Sequence, residues 1–244
     1  MSHSSLSGRT ALVTGVTSGI GHAITAQLLG AGARVLGVGR DPAKLAQVAA
    51  EWTGGHFEPV VADLSVPEAC QRAAEVGVEA KVDILVNNAG FCVYTNPTAL
   101  PMTRWREMLE VNLLAAVALT SAIGPHMSHG GHIVNVSSVT ARHVAHPRFG
   151  PYAVTKAALE SFTGSLRLEL ARRGVAVSMI APGLVDTPLY QEVAGFEREE
   201  EKLRAVLPEW LDADDVADAV LWMLTRPGRV VISELTITPR GQAR

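Results

Sequence analysis

The stretch TALVTGVTSGIGHAI, residues 10–24, decides the fold. Its first five residues, TALVT, are β-branched or apolar and read as a strand. A glycine-bearing turn follows, and the residues from 19 onward read as a helix. Gly15, Gly19 and Gly21 fall at that junction, and each has a physical task. Gly15 permits the tight turn, Gly19 lets a phosphate approach the backbone, and Gly21 lets helix and strand pack closely. The helix then points its free N–H groups and the positive end of its dipole at an anion. The spacing is Gly-x-x-x-Gly-x-Gly, not Gly-x-Gly-x-x-Gly, and a glycine-rich turn alone also fits an ordinary strand-to-helix connection.

The rest of the chain repeats the alternation. Six more β-rich runs follow at 33–39, 56–62, 82–87, 132–137, 175–180 and 229–237. Helical segments lie at 19–31, 42–51, 67–76, 103–123, 152–173 and 212–225. Nearly continuous apolar strands alternating with helices describe a parallel sheet covered on both faces. Right-handed crossovers then give an α/β, doubly wound, seven-stranded sheet, expected to be mostly parallel. No linker, repeat or low-complexity tract interrupts it, so residues 1–244 are expected to form a single domain. The charged stretch GFEREEEKLRA, 195–205, is expected to be an exposed, mobile insertion before the last helix.

Composition excludes several classes. Hydrophobic residues make up 48% and charged residues 18%, enough for a sizeable core. The net charge of -3 and the lack of a basic tract argue against nucleic acid or an anionic membrane as partner. No apolar run is expected to reach the roughly 18 residues of a membrane span. The polar start, MSHSSLSGRT, lacks the pattern of a secretory signal. Cys70 and Cys92 stand far apart and read as reduced thiols, which with the other features points to the cytoplasm. His126, His129 and His132 have a spacing that suits zinc only on one helix, and Gly130 and Gly131 break that helix, so no metal site is expected.

The chemistry is suggested by GPYAVTKAALE, 150–160. Tyr152 and Lys156 are four residues apart and share a helix face. A free tyrosine titrates near pH ~10. A neighbouring ammonium favours the phenolate and brings the phenol toward useful acidity. On its own, the pair also fits an amphipathic surface helix.

In order along the chain, TGVTSGIG (14–21), NNAG (87–90), VNLLAA (111–116), NVSSV (135–139), Tyr-x-x-x-Lys (152–156) and APGLVDTPL (181–189) together resemble the short-chain dehydrogenase/reductase family, in its compact Rossmann-fold form. The resemblance covers nearly the whole chain. It implies hydride transfer between nicotinamide and a carbonyl or secondary alcohol. Tyr152 is implied as the acid/base, Lys156 as its tuner and ribose holder, Ser138 as the oxygen anchor, and Asn112 as the holder of a water that links the lysine to solvent. A side chain of Asn112 bonded to backbone is the plainer alternative, and the two are compatible.

The same resemblance places the cofactor on Gly15, Ser18, Gly19, Ile20 and Gly21, then on Asn88, Ala89 and Gly90, and finally on Pro182, Gly183, Val185 and Thr187. Asp63 and Leu64 resemble residues that contact adenine, though Asp63 also reads as a helix cap. Arg40, after the second strand, occupies the place where NADP-users of the family carry arginine, and its fork suits a 2′-phosphate. Asp41 beside it precedes Pro42 and reads as the N-cap of the next helix. NADP(H) is therefore expected, with NAD(H) as the alternative.

Ser137 and Ser138 compete for the anchor role, and along a strand they face opposite ways. Thirteen residues separate Ser138 from Tyr152, one more than usual in the family, so an inserted residue lies within 139–151. Residues 188–207 are implied as a substrate lid. Leu184, Leu189, Tyr190, Val193 and Phe196, with Phe91, Cys92, Val93 and Tyr94, are candidate pocket walls. The helices at 103–123 and 152–173 resemble those that pair subunits, so a homodimer or homotetramer is implied. A non-catalytic dinucleotide sensor is disfavoured because both Tyr152 and Lys156 are present. Too few residues follow 190 for the substrate domain of an epimerase or dehydratase.

Overall fold

The computed structural model describes residues 5–52, 54, 56–191 and 195–242, and of 190 and 191 the backbone alone. Seven strands form one sheet: β1 Thr10–Thr14, β2 Arg34–Gly39, β3 Phe57–Val61, β4 Ile84–Asn87, β5 His132–Val136, β6 Ala176–Pro182 and β7 Glu234–Ile237. Their order is β3-β2-β1-β4-β5-β6-β7, and every neighbouring pair is parallel. The expected "mostly parallel" sheet is therefore wholly parallel among the described residues. The order reverses between β1 and β4, and ligands of such sheets sit beyond the carboxyl ends of the strands at that point.

Alternation along the strands divides the core in two. Ala11, Val13, Val35, Ile84, Val86 and Val134 face one layer, with α1 (Gly19–Gly30) and α9 (Ala213–Leu224) against them. Leu12, Leu36, Val38, Leu85 and Ile133 face the other. There they meet α3 (Pro67–Glu79), α5 (Ala115–Ile123) and α6 (Gly150–Ala171). Because helices cover both faces, neither face of a central strand needs polar side chains. The remaining helices are α2 (Pro42–Glu51), α4 (Met102–Leu109), α7 (Pro188–Gln191) and α8 (Glu197–Val206).

Four expectations change. The segment expected as one helix at 103–123 is α4, a π-turn over Glu110–Leu114, and α5. The continuous helical run Met102–His126 has mean hydropathy 1.5 in its most apolar window, so by length and composition a run of membrane-spanning size does exist. In this fold 44% of that window is buried, with Ala115, Leu119 and Ile123 against the sheet. The charged stretch expected as an insertion forms α8, and Phe196 at its start is fully buried. The last strand is confined to 234–237, paired with Met179–Pro182; just before it, Ser233 O accepts from Met179 N, the first bond of that ladder, and Ile232 O accepts from Ser178 Oγ.

The histidine pattern resolves into separate environments. His132 lies in β5, and its Nε2 is 2.7 Å from Ser178 Oγ. That hydroxyl already donates to Ile232 O, so it accepts, and the ring carries its proton on Nε2. Burial, with Arg9 nearby, pushes the His132 pKa down to about 4. The unfolded chain binds this proton near pH 6.5, and the fold does so only near 4. Stability from this group is therefore full above pH 6.5 and is lost as pH falls toward 4, by an amount on the order of 3 kcal/mol. Denaturant titrations across that window should show a shallower acid limb for His132→Asn than for the native chain.

Candidate active site

The glycine turn is built as a cradle. Gly15 has φ +74°, and Ser18 opens α1 in extended conformation. A Cβ on Gly21 would lie 2.2 Å from Gly15 O and 2.5 Å from Asn88 Nδ2, so only hydrogen fits. Ser18 is exposed and its side chain makes no capping bond, which leaves the first N–H groups of α1 unclaimed by a side chain. The second loop is tied to this turn through Thr14. Its Oγ1 accepts from Asn88 N and Ala89 N, each at 2.9 Å, while Asn88 Nδ2 donates to Thr14 O.

Arg40 ends β2 exposed, with no hydrogen bond or ion pair among the described residues. Asp41 is the N-cap of α2: its Oδ1 accepts from Ala43 N at 2.9 Å and Lys44 N at 3.2 Å. Asp63 accepts from both the amide and hydroxyl of Ser65. Those bonds, helped by the Arg40 charge, hold its carboxyl below the usual range. Leu64 is buried and belongs to the second core layer.

Tyr152 and Lys156 lie one turn apart on α6, and both are buried. Lys156 Nζ donates to Val136 O at 2.8 Å and stands 5.8 Å from the Tyr152 ring centre. No carboxylate pairs with it among the described residues. Burial lowers its pKa to about 8, so at neutral pH it is still mainly an ammonium. Gly90 gives it room: a Cβ there would lie 3.5 Å from Nζ and 3.1 Å from Asn112 Oδ1. Asn112 sits in the π-turn, where its Oδ1 accepts from Phe91 N and its Nδ2 donates to Phe91 O and Thr155 Oγ1. The expected backbone bonding of this side chain is thus present. The irregular turn was hidden because apolar periodicity runs through it unbroken.

The two serines separate as alternation requires. Ser137 Oγ donates to Glu160 Oε1 at 2.9 Å. Ser138 lies two residues past β5 and its Oγ accepts from Thr140 N at 3.2 Å, opening a short 3-10 turn over Val139–Ala141. The longer connection to α6 holds a second such turn, Pro147–Phe149. Within it, His146 Nδ1 accepts from Arg148 N, so it also accepts from Tyr94 Oη at 3.1 Å.

The last loop continues from β6. Leu211 N donates to Leu184 O and Asp186 N to Leu211 O, a parallel bridge centred on Val185. In that pattern the N–H and C=O of Val185 itself point away from Leu211. Thr187 is buried beside Gly19, 3.2 Å from where a Cβ would be. Asp186 pairs with Arg204 of α8 at 3.0 Å, and the Arg204 guanidinium stacks 4.0 Å over Trp210. Phe196, Tyr94, Phe149, Cys92, Met108 and Tyr152 form one apolar cluster, with Phe91, Val93 and Leu189 packed against it. Burial pushes the Cys92 thiol up to about 12. Of the candidate walls, the Tyr190 side chain and Val193 lie outside the described residues. Gln242 is an unexpected contributor: its Oε1 accepts from Leu184 N at 3.0 Å, directly above Gly183. Only a contact from the far end of the chain reveals it.

Residues 9–198 match the family model described as short chain dehydrogenase. An uncharacterized oxidoreductase of Staphylococcus epidermidis is 34% identical over 95% of this chain and 97% of its own length. One of Staphylococcus aureus is 32% identical over 96% and 98%. A short chain dehydrogenase from Burkholderia cenocepacia, solved in complex with NADP, aligns with TM-score 0.84 and 32% identity over 95% of this chain and 97% of that one. The closed form of a serine dehydrogenase complexed with NADP+ aligns at TM-score 0.86 and 28% identity, over 96% of both chains. The chain belongs to the short-chain dehydrogenase/reductase family and is an oxidoreductase.

Packing at the cradle sets a stability test. Gly21→Ala forces a methyl against the Gly15 carbonyl and should cost about 1–3 kcal/mol, read as a lower melting temperature.

Proposed function

We propose that this oxidoreductase is NADP(H)-dependent and interconverts a carbonyl compound and its secondary alcohol. The carrying observation is the buried Tyr152–Lys156 pair on α6, with Lys156 Nζ bonded to Val136 O, two residues before Ser138. A bound nicotinamide supplies a hydride to the carbonyl carbon, or takes one from the alcohol carbon. Tyr152 gives its phenolic proton to the oxygen as the C=O π bond becomes C–O–H, and in reverse takes it back. Lys156, an ammonium at neutral pH, stabilises the phenolate left behind and holds ribose hydroxyls. Ser138 keeps its proton and donates a hydrogen bond through its hydroxyl to the substrate oxygen, and Asn112 helps supply the pair with a water.

The cradle at Gly15, Gly19, Ile20 and Gly21 fits a pyrophosphate: Gly21 leaves room for the turn where a Cβ would collide with Gly15 O, and no side chain claims the first N–H groups of α1. Asn88, Ala89 and Gly90 border the nucleoside, Asp63 and Leu64 its adenine. Pro182 and Gly183 turn the chain so that Val185 offers its main chain, and Thr187 its hydroxyl, to the carboxamide. Preference for the phosphorylated dinucleotide is supported by the unpaired Arg40 and uncapped Ser18, and by Asp41 being engaged in its own helix. Solved relatives that carry NADP support it further. The whole chain acts as one unit, with residues 188–207 as the lid. Exposed Leu168, Val154 and Leu114 support pairing of subunits through the α4–α6 layer.

A panel of diketones, α-keto esters, aromatic ketones and hydroxy acids, followed by NADPH absorbance, finds the substrate class. With its best compound, Tyr152→Phe should abolish turnover while NADPH binding stays largely intact. Undiminished turnover sinks the proton route. Arg40→Asp should move the ratio of kcat/KM from NADPH toward NADH, and an unchanged ratio removes Arg40 from cofactor choice.

A further inference from the structure

One carboxylate outside the implied machinery holds both ends of the turn that carries Ser138. Glu160 lies on α6, one turn after Lys156 and two after Tyr152. Its side chain is 14% exposed, against 41% for its partner Arg142. Oε1 accepts from Ser137 Oγ at 2.9 Å, and Oε2 accepts from Arg142 Nε at 2.8 Å. Ser137 immediately precedes Ser138, and Arg142 closes the 3-10 turn that Ser138 opens. The turn 138–142 is thus fastened before and after to the helix that bears the phenol and the amine.

The fastening is itself anchored. Arg142 Nη2 donates to Glu234 Oε2 on β7 at 2.7 Å. Glu234 Oε1 lies 3.6 Å from Arg167 Nη1, and Arg167 donates to Val177 O and Ser233 O. Charges alternate along Glu160, Arg142, Glu234 and Arg167, so each carboxylate has a cation. The bond from Arg142 holds the Glu234 carboxyl below its usual range, and the bonds to Glu160 and then Glu234 push the Arg142 pKa up. An exposed ion pair contributes little. This one includes the hydroxyl of Ser137, a residue only 3% exposed, which would lose its acceptor in a buried place if Glu160 were removed.

We propose that Glu160 is a positioning residue for the reaction, setting where the Ser138 hydroxyl stands relative to Tyr152. This rests on the roles given above to Ser138, Tyr152 and Lys156. Among the described residues the Ser138 hydroxyl is bonded only locally, to Thr140 N, so its place depends on the turn around it. A displacement of about 1 Å in such a group costs on the order of a hundredfold in rate. Glutamine at 160 removes the charge that holds Arg142, and it keeps Ser137 only by donating its NH2 to Oγ, which reverses that bond and leaves the buried hydroxyl proton without its acceptor.

The test compares Glu160→Gln, Arg142→Ala and Arg142→Lys with the native chain, using the best compound of the carbonyl panel. The expected result is a kcat about ten- to a hundredfold lower in Glu160→Gln and Arg142→Ala. The NADPH dissociation constant, read by fluorescence, should stay within about twofold, and Arg142→Lys should recover part of the loss. Native kcat in both damaged variants overturns the proposal. So does an equal fall in kcat, NADPH affinity and melting temperature, which is what a general loosening gives. Tyr152→Phe runs alongside: if it keeps turnover, the proton route itself fails, a result separable from a silent Glu160→Gln beside an inactive Tyr152→Phe.

Discussion

The site depends on an ammonium that is buried with no carboxylate beside it among the described residues. Lys156 is 3% exposed and has one hydrogen-bond acceptor among the described residues, the Val136 carbonyl at the end of β5. An isolated charge in such a place is costly, and the cost appears as a pKa lowered to about 8. Surrounding groups are arranged to make room for it: Gly90 has no side chain to displace it, and Asn112 is held off by Phe91 and Thr155. A carboxylate in this position would neutralise the charge. Its absence leaves the positive field for the phenol one turn away.

The sheet places that charge where chemistry is possible. All strands are parallel, so their carboxyl ends lie at one edge, and the order reverses between β1 and β4. The loops after β1, β4, β5 and β6 converge there. They are joined to one another by side chains rather than by ladder bonds: Thr14 links the first two, and Glu160 links the third to α6. Gln242 links the fourth to the end of the chain. Strand pairing therefore sets the coarse geometry, and a few buried polar contacts set the fine geometry.

Most of the fold was legible because strands buried on both faces are short apolar runs. β1 and α2 coincide with their expected bounds, and β5 differs by one residue at its end. The glycine turn, Asp41 as N-cap and the opposed serines were legible for a similar reason: each follows from local backbone chemistry. Glu160 was not, because its partners lie 23 and 18 residues away across a loop whose path depends on tertiary packing. Phe196 was placed on a candidate wall, yet its charged neighbours suggested exposure, and burial among Tyr94 and Phe149 prevailed. Of the strand expected at 229–237, only 234–237 forms, and ahead of it the Ile232 carbonyl is taken by the Ser178 hydroxyl, a contact that only the folded chain brings about.

The central claim is that Lys156 makes Tyr152 a usable acid near neutrality. Ultraviolet difference titration of the tyrosinate band, with NADP+ bound and Tyr152→Phe as the blank, measures this without any substrate. The account predicts that the Tyr152 phenolate forms at clearly lower pH in the native chain than in Lys156→Met. The same midpoint in both would contradict it.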